Sequence, residues 1–178
     1  ACNDGAARAR GEFLVFLNND TVPQPGWLDA LLETFDHTPD TGLAGAQLLY
    51  HDGRLQEAGG VGFSDGSAWN YGRFESPHDP RFASLRAADY CSGAAIAIRR
   101  ELFRSLGGFD IRYAPAYYED TDLAFSVRAR GHGVLYQPRS RVVHLEGITA
   151  GTDLNSGAKA CQVRNRERFA EKWNDALA

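Results

Sequence analysis

The run Phe13-Leu14-Val15-Phe16-Leu17 is continuous, apolar and only five residues long. A run that short reads as a strand rather than a helix, and its lack of polar alternation reads as a strand covered on both faces. Strands of that kind belong to α/β sheets with helices on either side. The run is therefore expected to be a central strand, with Asn18, Asn19 and Asp20 at its carboxyl end. In open α/β sheets that edge is where ligands bind. Asn and Asp also make ordinary polar turns, and the residues alone leave both readings open.

The rest of the chain alternates in the same way. Pro23, Pro25 and Gly26 punctuate the exit, with Pro25 suited to the first turn of a helix whose buried stripe is Trp27, Leu28, Leu31, Leu32 and Phe35. Residues 42–50 and 90–98 read as further strands, the second entered through a Ser92-Gly93 bend. A short helix ends at Gly107-Gly108, and strands are expected at 133–137 and 141–145 with a turn at Pro138 between them. Asn3 or Asp4 is placed to cap a first short helix. Residues 155–176 read as a last helix, with Phe169 and Trp173 on its core face and Arg164, Arg166, Arg168 and Lys172 on a basic one. From His51 to Asp89 the pattern loosens, and a connection that long inside a compact domain is usually functional.

A chain of 178 residues supports one substantial core, so a single domain over 1–178 is expected. A net charge of -4 without a basic patch gives no surface for nucleic acid. No apolar run is long enough to span a bilayer and no leader segment is visible. A cytoplasmic location is expected, with possible peripheral association at the inner face of the membrane. Cys2, Cys91 and Cys161 are odd in number and far apart, as expected of reduced thiols rather than a disulfide frame or zinc cluster.

The chemistry gathers in residues 117–131, where Glu119, Asp120 and Asp122 crowd the start of a helix marked by Leu123, Ala124 and Val127 and stopped at Gly131. Such acids have a structural use as caps that favour the positive end of a helix dipole. The Ser92-Gly93 bend can be a bulge at a strand entrance, or a place where backbone amides meet a ligand. His144 on a late strand can be a satisfied structural residue or a metal ligand. Trp69, Tyr71 and Phe74 can stack on a sugar ring or anchor the long connection to the surface.

In the order Asn18-Asn19-Asp20, Ser92-Gly93-Ala94, Gly107-Gly108-Phe109-Asp110, Glu119-Asp120 and Val142-Val143-His144-Leu145-Glu146-Gly147, the chain resembles the inverting family 2 glycosyltransferases. The resemblance implies a GT-A-like, Rossmann-like mixed α/β sheet flanked by helices. It further implies an N-terminal truncation, because the family's domain opens with a nucleotide-binding half that nothing before Ala1 supplies. It implies a nucleotide-sugar donor and a glycan or lipid-linked acceptor, rhamnose-like donors and cell-surface polysaccharide acceptors being common in the group. Asp120 with Glu119 would then be catalytic, Asp120 as the base. Asp20 and His144 would hold Mn²⁺ or Mg²⁺, while Asn18, Asn19, Ser92, Gly93, Asp122 and Trp69 would contact substrate. Asn18 stands where the family's motif usually carries its first acid, so weaker metal binding is expected. Two other readings stand beside it: a non-catalytic glycan- or protein-binding remnant of the fold, and a metal-dependent nucleotidyltransferase, which would be expected to carry a Gly-rich basic phosphate loop near its start.

Overall fold

The computed structural model describes residues 1–145 and 160–177. Its elements run α1 (Cys2–Arg8), β1 (Phe13–Leu17), β2 (Thr21–Pro23), α2 (Trp27–His37), β3 (Thr41–Leu49), β4 (Leu55–Glu57), β5 (Gly60–Gly62), β6 (Ala68–Asn70), β7 (Arg86–Ala87), β8 (Ala95–Arg99), α3 (Arg100–Ser105), α4 (Glu119–Ala129), β9 (Gly133–His144), α5 (Ala160–Lys172) and α6 (Asn174–Leu177). The main sheet is mixed, in the order β1-β8-β3-β9-β2, with β4 paired to β3 and β7 paired to β9; β5 and β6 form a separate hairpin.

Alternation along β3 divides the core into two layers. Ala44 faces Leu31 and Phe35 of α2, whereas Leu43 faces Leu123, Ala124 and Val127 of α4. Helices thus cover both faces of the sheet, and β3 is buried from Thr41 through Leu48, as expected of a strand clad on both sides. Close approach is bought with small residues: a Cβ on Gly45 would stand 2.2 Å from Cys91 Cβ, so only glycine lets the segment entering β8 lie against β3. Cys91 is a free, buried thiol there, filling the space as a small apolar residue.

Four expectations change. β1 is an edge strand with Val15 and Leu17 38% and 41% exposed, because its continuous apolar run says nothing about how many neighbours pair with it. Its chain direction is nevertheless parallel to β3, since both pair antiparallel with β8. Residues 133–137 and 141–145 are not two strands but one, β9, because Pro138 sits in a bulge: Ala46 pairs with Gln137 and the next residue, Gln47, pairs with Arg141. Asn3 does not cap α1, which has no side-chain cap. Its carboxamide instead bonds both ways with Phe109, accepting from the amide at 2.9 Å and donating to the carbonyl at 2.8 Å. Pro25 lies outside α2, which starts after Gly26 at φ 76°. The expected last helix is found as α5 and α6; residues 155–159 lie outside the described residues.

The packing at Gly45 predicts that Gly45→Val lowers stability by roughly 1–3 kcal/mol, the usual cost of overfilling a packed core. Urea denaturation of the two proteins compares them; an unchanged midpoint would show that the segment at Cys91 moves aside freely.

Candidate active site

β1, β3 and β9 run the same way and end at one edge of the sheet, while β8 and β4 run against them and begin there. Asp20 follows β1 and lies beside His144 at the end of β9: Thr21 pairs with His144 in register, and the Leu145 amide donates to the Asp20 carbonyl at 2.9 Å. His144 Nε2 stands 3.3 Å from Asp20 Oδ1 and 3.5 Å from Asn18 Nδ2. Its Nδ1 lies 2.8 Å from Gln56 Oε1, and the Gln56 carboxamide nitrogen donates back to the His144 carbonyl at 3.4 Å. With the carboxamide turned that way, its oxygen accepts from Nδ1–H and the ring is held with Nε2 toward Asn18 and Asp20. A histidine fixed in this manner by its other nitrogen is the form that binds metals.

Among the described residues no cluster of three or more His, Cys, Asp or Glu side chains is shaped to hold an ion by itself. One carboxylate and one imidazole nitrogen nonetheless suit Mn²⁺ or Mg²⁺, hard cations that take a few protein ligands and complete their shell with water and phosphate oxygens. The donor set therefore fits an ion shared with a diphosphate. Asn19 is exposed in the same turn.

The Ser92-Gly93 bend enters β8 at this edge. Asn18 N–H donates to Ala94 O at 3.0 Å, tying the Asp20 turn to the bend. Two consecutive amides then serve two carboxyls: Ser92 N–H donates to Glu57 Oε1 and Gly93 N–H to Asp120 Oδ2, each at 2.8 Å. A Cβ on Gly93 would lie 3.3 Å from Asp120 Cβ, so a side chain there would crowd the acid. Asp120 Oδ1 also accepts from the Thr121 amide at 2.7 Å.

The approach to α4 is strained. Tyr117 and Tyr118 sit at φ 73° and 75°, a region in which a non-glycine residue costs on the order of 1–3 kcal/mol. Buried Asn165 of α5 holds them, its Nδ2 donating to the carbonyls of Tyr113, Ala116 and Tyr117 at 2.7, 2.9 and 3.0 Å. Tyr118 adds a bond from its hydroxyl to Gly66 O at 3.1 Å. The strain thus sits directly before Glu119 and Asp120, where it aims them.

Asp122 corrects the expectation of a substrate contact. Successive helix residues turn by about 100°, so Asp122 points away from Asp120. It is 3% exposed and bound by Tyr113 Oη at 3.0 Å, Trp173 Nε1 at 2.8 Å and Lys172 Nζ at 2.7 Å. Its role is to dock α5 and the turn after it against α4. Trp69 lies on β6, 65% exposed, paired across the hairpin with Val61. Glu146 and Gly147, part of the late motif, lie outside the described residues.

Sequence reasoning missed Gln56 and Glu57. Glu57 is fully buried, and its carboxyl is raised to about 8 by desolvation, with the Asp120 charge adding to the rise against the Ser92 hydrogen bond and Arg86. Glu119 is raised to about 7, by burial first and Asp120 second. The sequence Leu55-Gln56-Glu57 carries no signal that would have marked either residue, since only Leu55 is apolar. A cleft of about 540 Å³ lined by Gly60, Arg86, Asp89, Arg128 and His132 opens near Gly133, which pairs with Thr41 at the other end of β3 and β9, and so is separate from this site.

Helices on both faces of a mixed sheet, with an acidic turn and a carboxylate-led helix meeting at one strand edge, define a GT-A-type glycosyltransferase domain. Its fold is similar to that of GalNAc-T7, solved with UDP, GalNAc and Mn²⁺, at a TM-score of 0.68 and 20% identity over 96% of this chain and 34% of that one. It is also similar to the mannosyltransferase PcManGT from Pyrobaculum calidifontis, solved in complex with GDP-Man and Mn²⁺, at a TM-score of 0.53 over 81% of this chain and 35% of that one. The sequence model described as "Glycosyltransferase like family 2" matches residues 1–170, and the chain belongs to that family. It is 35% identical to the O-antigen biosynthesis protein RfbC of Myxococcus xanthus over 86% of its own length and 12% of the relative's. It is 28% identical to the N-acetylglucosaminyl-diphospho-decaprenol L-rhamnosyltransferase of Mycobacterium tuberculosis, covering 93% of this chain and 59% of that protein.

The two raised carboxyls predict a pH effect on folding. Both bind their proton more tightly folded than unfolded, so their contribution is complete below the unfolded value of 4.5 and is lost as pH rises through about 7 for Glu119 and about 8 for Glu57. The urea midpoint should fall between pH 5 and 8.5; a midpoint that rises steadily over this range would contradict the burial of these acids.

Proposed function

We propose that the chain is the catalytic part of a metal-assisted glycosyltransferase that moves a sugar from a nucleotide-sugar donor to a glycan or lipid-linked acceptor with inversion. The observation that carries this reading is the shared edge: Asp20 and His144 on one side and Asp120 on the other, joined through the Asn18–Ala94 hydrogen bond and the Ser92-Gly93 bend. Transfer needs a departing diphosphate to be stabilised and an attacking hydroxyl to lose its proton. The edge offers a donor set for the first and a carboxylate for the second.

Asp20 and His144 would hold Mn²⁺ or Mg²⁺ with Asn18 beside them, and the bound ion would supply Lewis-acid neutralisation of the diphosphate. Asp120 takes the proton from the acceptor hydroxyl as that oxygen attacks the anomeric carbon on the face opposite the diphosphate. Gly93 N–H holds Asp120 Oδ2, which fixes the carboxylate against rotation. Glu119, protonated in part near neutral pH, adds less negative charge beside the base than an ordinary carboxylate would. Ser92, Asn19 and the exposed Trp69 ring are assigned to substrate, Trp69 by stacking on a sugar. RfbC's role in O-antigen biosynthesis and the diphospho-decaprenol in the rhamnosyltransferase's name favour a cell-surface polysaccharide or diphospho-lipid acceptor, reached at the cytoplasmic face of the membrane. Among the described residues no helix is long and apolar enough to cross a bilayer.

Calorimetric titration with UDP or GDP, with and without Mn²⁺, tests the donor site: binding should require the metal and be lost in Asp20→Ala. Metal-independent binding that survives this change would remove Asp20 from the site. Nucleoside diphosphate release from a panel of UDP-, GDP- and dTDP-sugars tests the base in the intact protein. Asp120→Asn should lower turnover by about 10²–10⁴-fold, the worth of a general base, with nucleotide affinity nearly unchanged. Undiminished turnover would exclude Asp120 from that role.

A further inference from the structure

Glu57 is a fully buried acid hydrogen-bonded to the Ser92-Gly93 bend, and nothing in the transfer chemistry above uses it. β4 pairs antiparallel with β3, Glu57 opposite Leu48, and the whole strand is buried. Its Oε1 accepts from Ser92 N–H at 2.8 Å, while its Oε2 is enclosed with no hydrogen-bond partner among the described residues. The next amide along, Gly93 N–H, is the one that donates to Asp120. Glu57 and the base are thus bonded to neighbouring peptide groups of one bend. Displacing the Ser92 amide displaces the Gly93 amide with it. The same bend reaches the metal side, because Ala94 O accepts from Asn18 and the Ala94 amide donates to Ser92 Oγ at 3.3 Å.

We propose that Glu57 is a positioning residue for the transfer reaction, kept as a neutral acid, whose carboxyl holds the Ser92-Gly93 bend at the place from which Gly93 orients Asp120. The inference rests on the assignment of Asp120 as base. A charged Glu57 is disfavoured by its surroundings. Arg86 of β7 is the cation that faces it; its two terminal nitrogens donate to the carbonyls of Ala87 and Ala58, its Nε is buried without a hydrogen-bond partner among the described residues, and the guanidinium lies over the Tyr71 and Tyr136 rings. Tyr90 and Cys91, from the segment entering β8, and Asp120, from α4, are the other titratable groups around it. None of these gives Oε2 a hydrogen bond. An unpaired buried charge is far costlier than an unpaired neutral hydroxyl, which is why the proton stays on Glu57 until about pH 8. Neutrality has a use: a second full negative charge behind this bend would repel the base from Gly93.

Isosteric replacement separates charge from shape. Glu57→Gln keeps an acceptor for Ser92 N–H and cannot ionise; Glu57→Ala removes the acceptor. In the intact protein, with nucleoside diphosphate release from the sugar-nucleotide panel as readout, Glu57→Gln should retain turnover within about two-fold at pH 7 and lose the alkaline fall in kcat near pH 8. Glu57→Ala should lower kcat about 10- to 100-fold, the range seen when a supporting residue behind an active group is removed, with KM for the donor little changed. A Glu57→Gln protein as impaired as Glu57→Ala, or a Glu57→Ala protein as active as wild type, would overturn the proposal. A second measurement stands apart from turnover and from the folding of the alanine variant. Carbon-13 NMR titration of the glutamate carboxyls, compared between wild type and Glu57→Gln, should show one signal titrating near pH 8 that the variant lacks. Titration of Glu57 below pH 5 would overturn the proposal even with Asp120 upheld as base. If Asp120→Asn proves fully active, the base assignment fails, and the positioning role of Glu57 fails with it, whatever its proton does.

Discussion

The site depends on the mixed direction of the sheet. β1, β3 and β9 run in one direction, so their carboxyl ends share an edge and deliver Asp20 and His144 to it. In a wholly parallel sheet every other strand would begin at the far edge. Here β8, β4 and β2 run against their neighbours, so the edge receives three strand beginnings as well: the Ser92-Gly93 bend before β8, Gln56 and Glu57 in β4, and Thr21 opposite His144. Strand ends and strand beginnings interleave, which is how backbone amides come to face side-chain acids across the edge. β3 and β8, which permit this, are buried in all but their last residues, and Gly45 admits the Cys91 segment against β3.

The second constraint is the entry to α4. Helix N-termini attract acids in any case, so Glu119 and Asp120 need no further reason to be near one. What distinguishes this end is that it is approached through two left-handed tyrosines and clamped from α5 by a single buried carboxamide, Asn165. Asp122, one turn of side-chain direction away, is bound by Lys172 and Trp173 and fastens the same C-terminal segment to the same helix. The clamp acts on the turn that leads into α4 and the fastening on the helix itself, both from the same C-terminal segment. Together they leave Asp120 little freedom except toward the bend.

These two constraints explain what the sequence made legible. Short apolar runs and helical stripes are local signals, and they located β1, β3, β8, α2, α4 and the core residues Leu31, Phe35 and Phe169. The acidic turn at Asp20 and the pair at Glu119-Asp120 were visible because each abuts such a signal. Pairing is not local: nothing in residues 13–17 tells an edge strand from a central one, and Pro138 reads as a turn although a bulge in a continuous strand accommodates it. Asp122 is a different case: it stands beside the Glu119-Asp120 pair in sequence, but helix geometry sends its side chain to the other face. Gln56 and Glu57 were hidden because a strand of three residues carries no periodicity to read, and their importance lies wholly in what β3 and the bend bring opposite them.

That short strand is also where the two halves of the chemistry meet. Neighbouring residues of a strand point to opposite sides. Gln56 therefore turns toward His144 and fixes which ring nitrogen is free, while Glu57 turns toward Ser92 and the bend that holds Asp120. A slip of one residue in the pairing of β4 with β3 would turn each to the other side, taking the Gln56 carboxamide from behind the histidine and the Glu57 carboxyl from behind the bend. The first would leave the His144 ring without the partner that fixes its orientation; the second would leave the Ser92 amide without its acceptor. The register shift at Leu48 and Leu49 is thus tied to function: it sets Leu55 and Glu57 opposite these residues and leaves Gln56 between them, free to reach across to the end of β9.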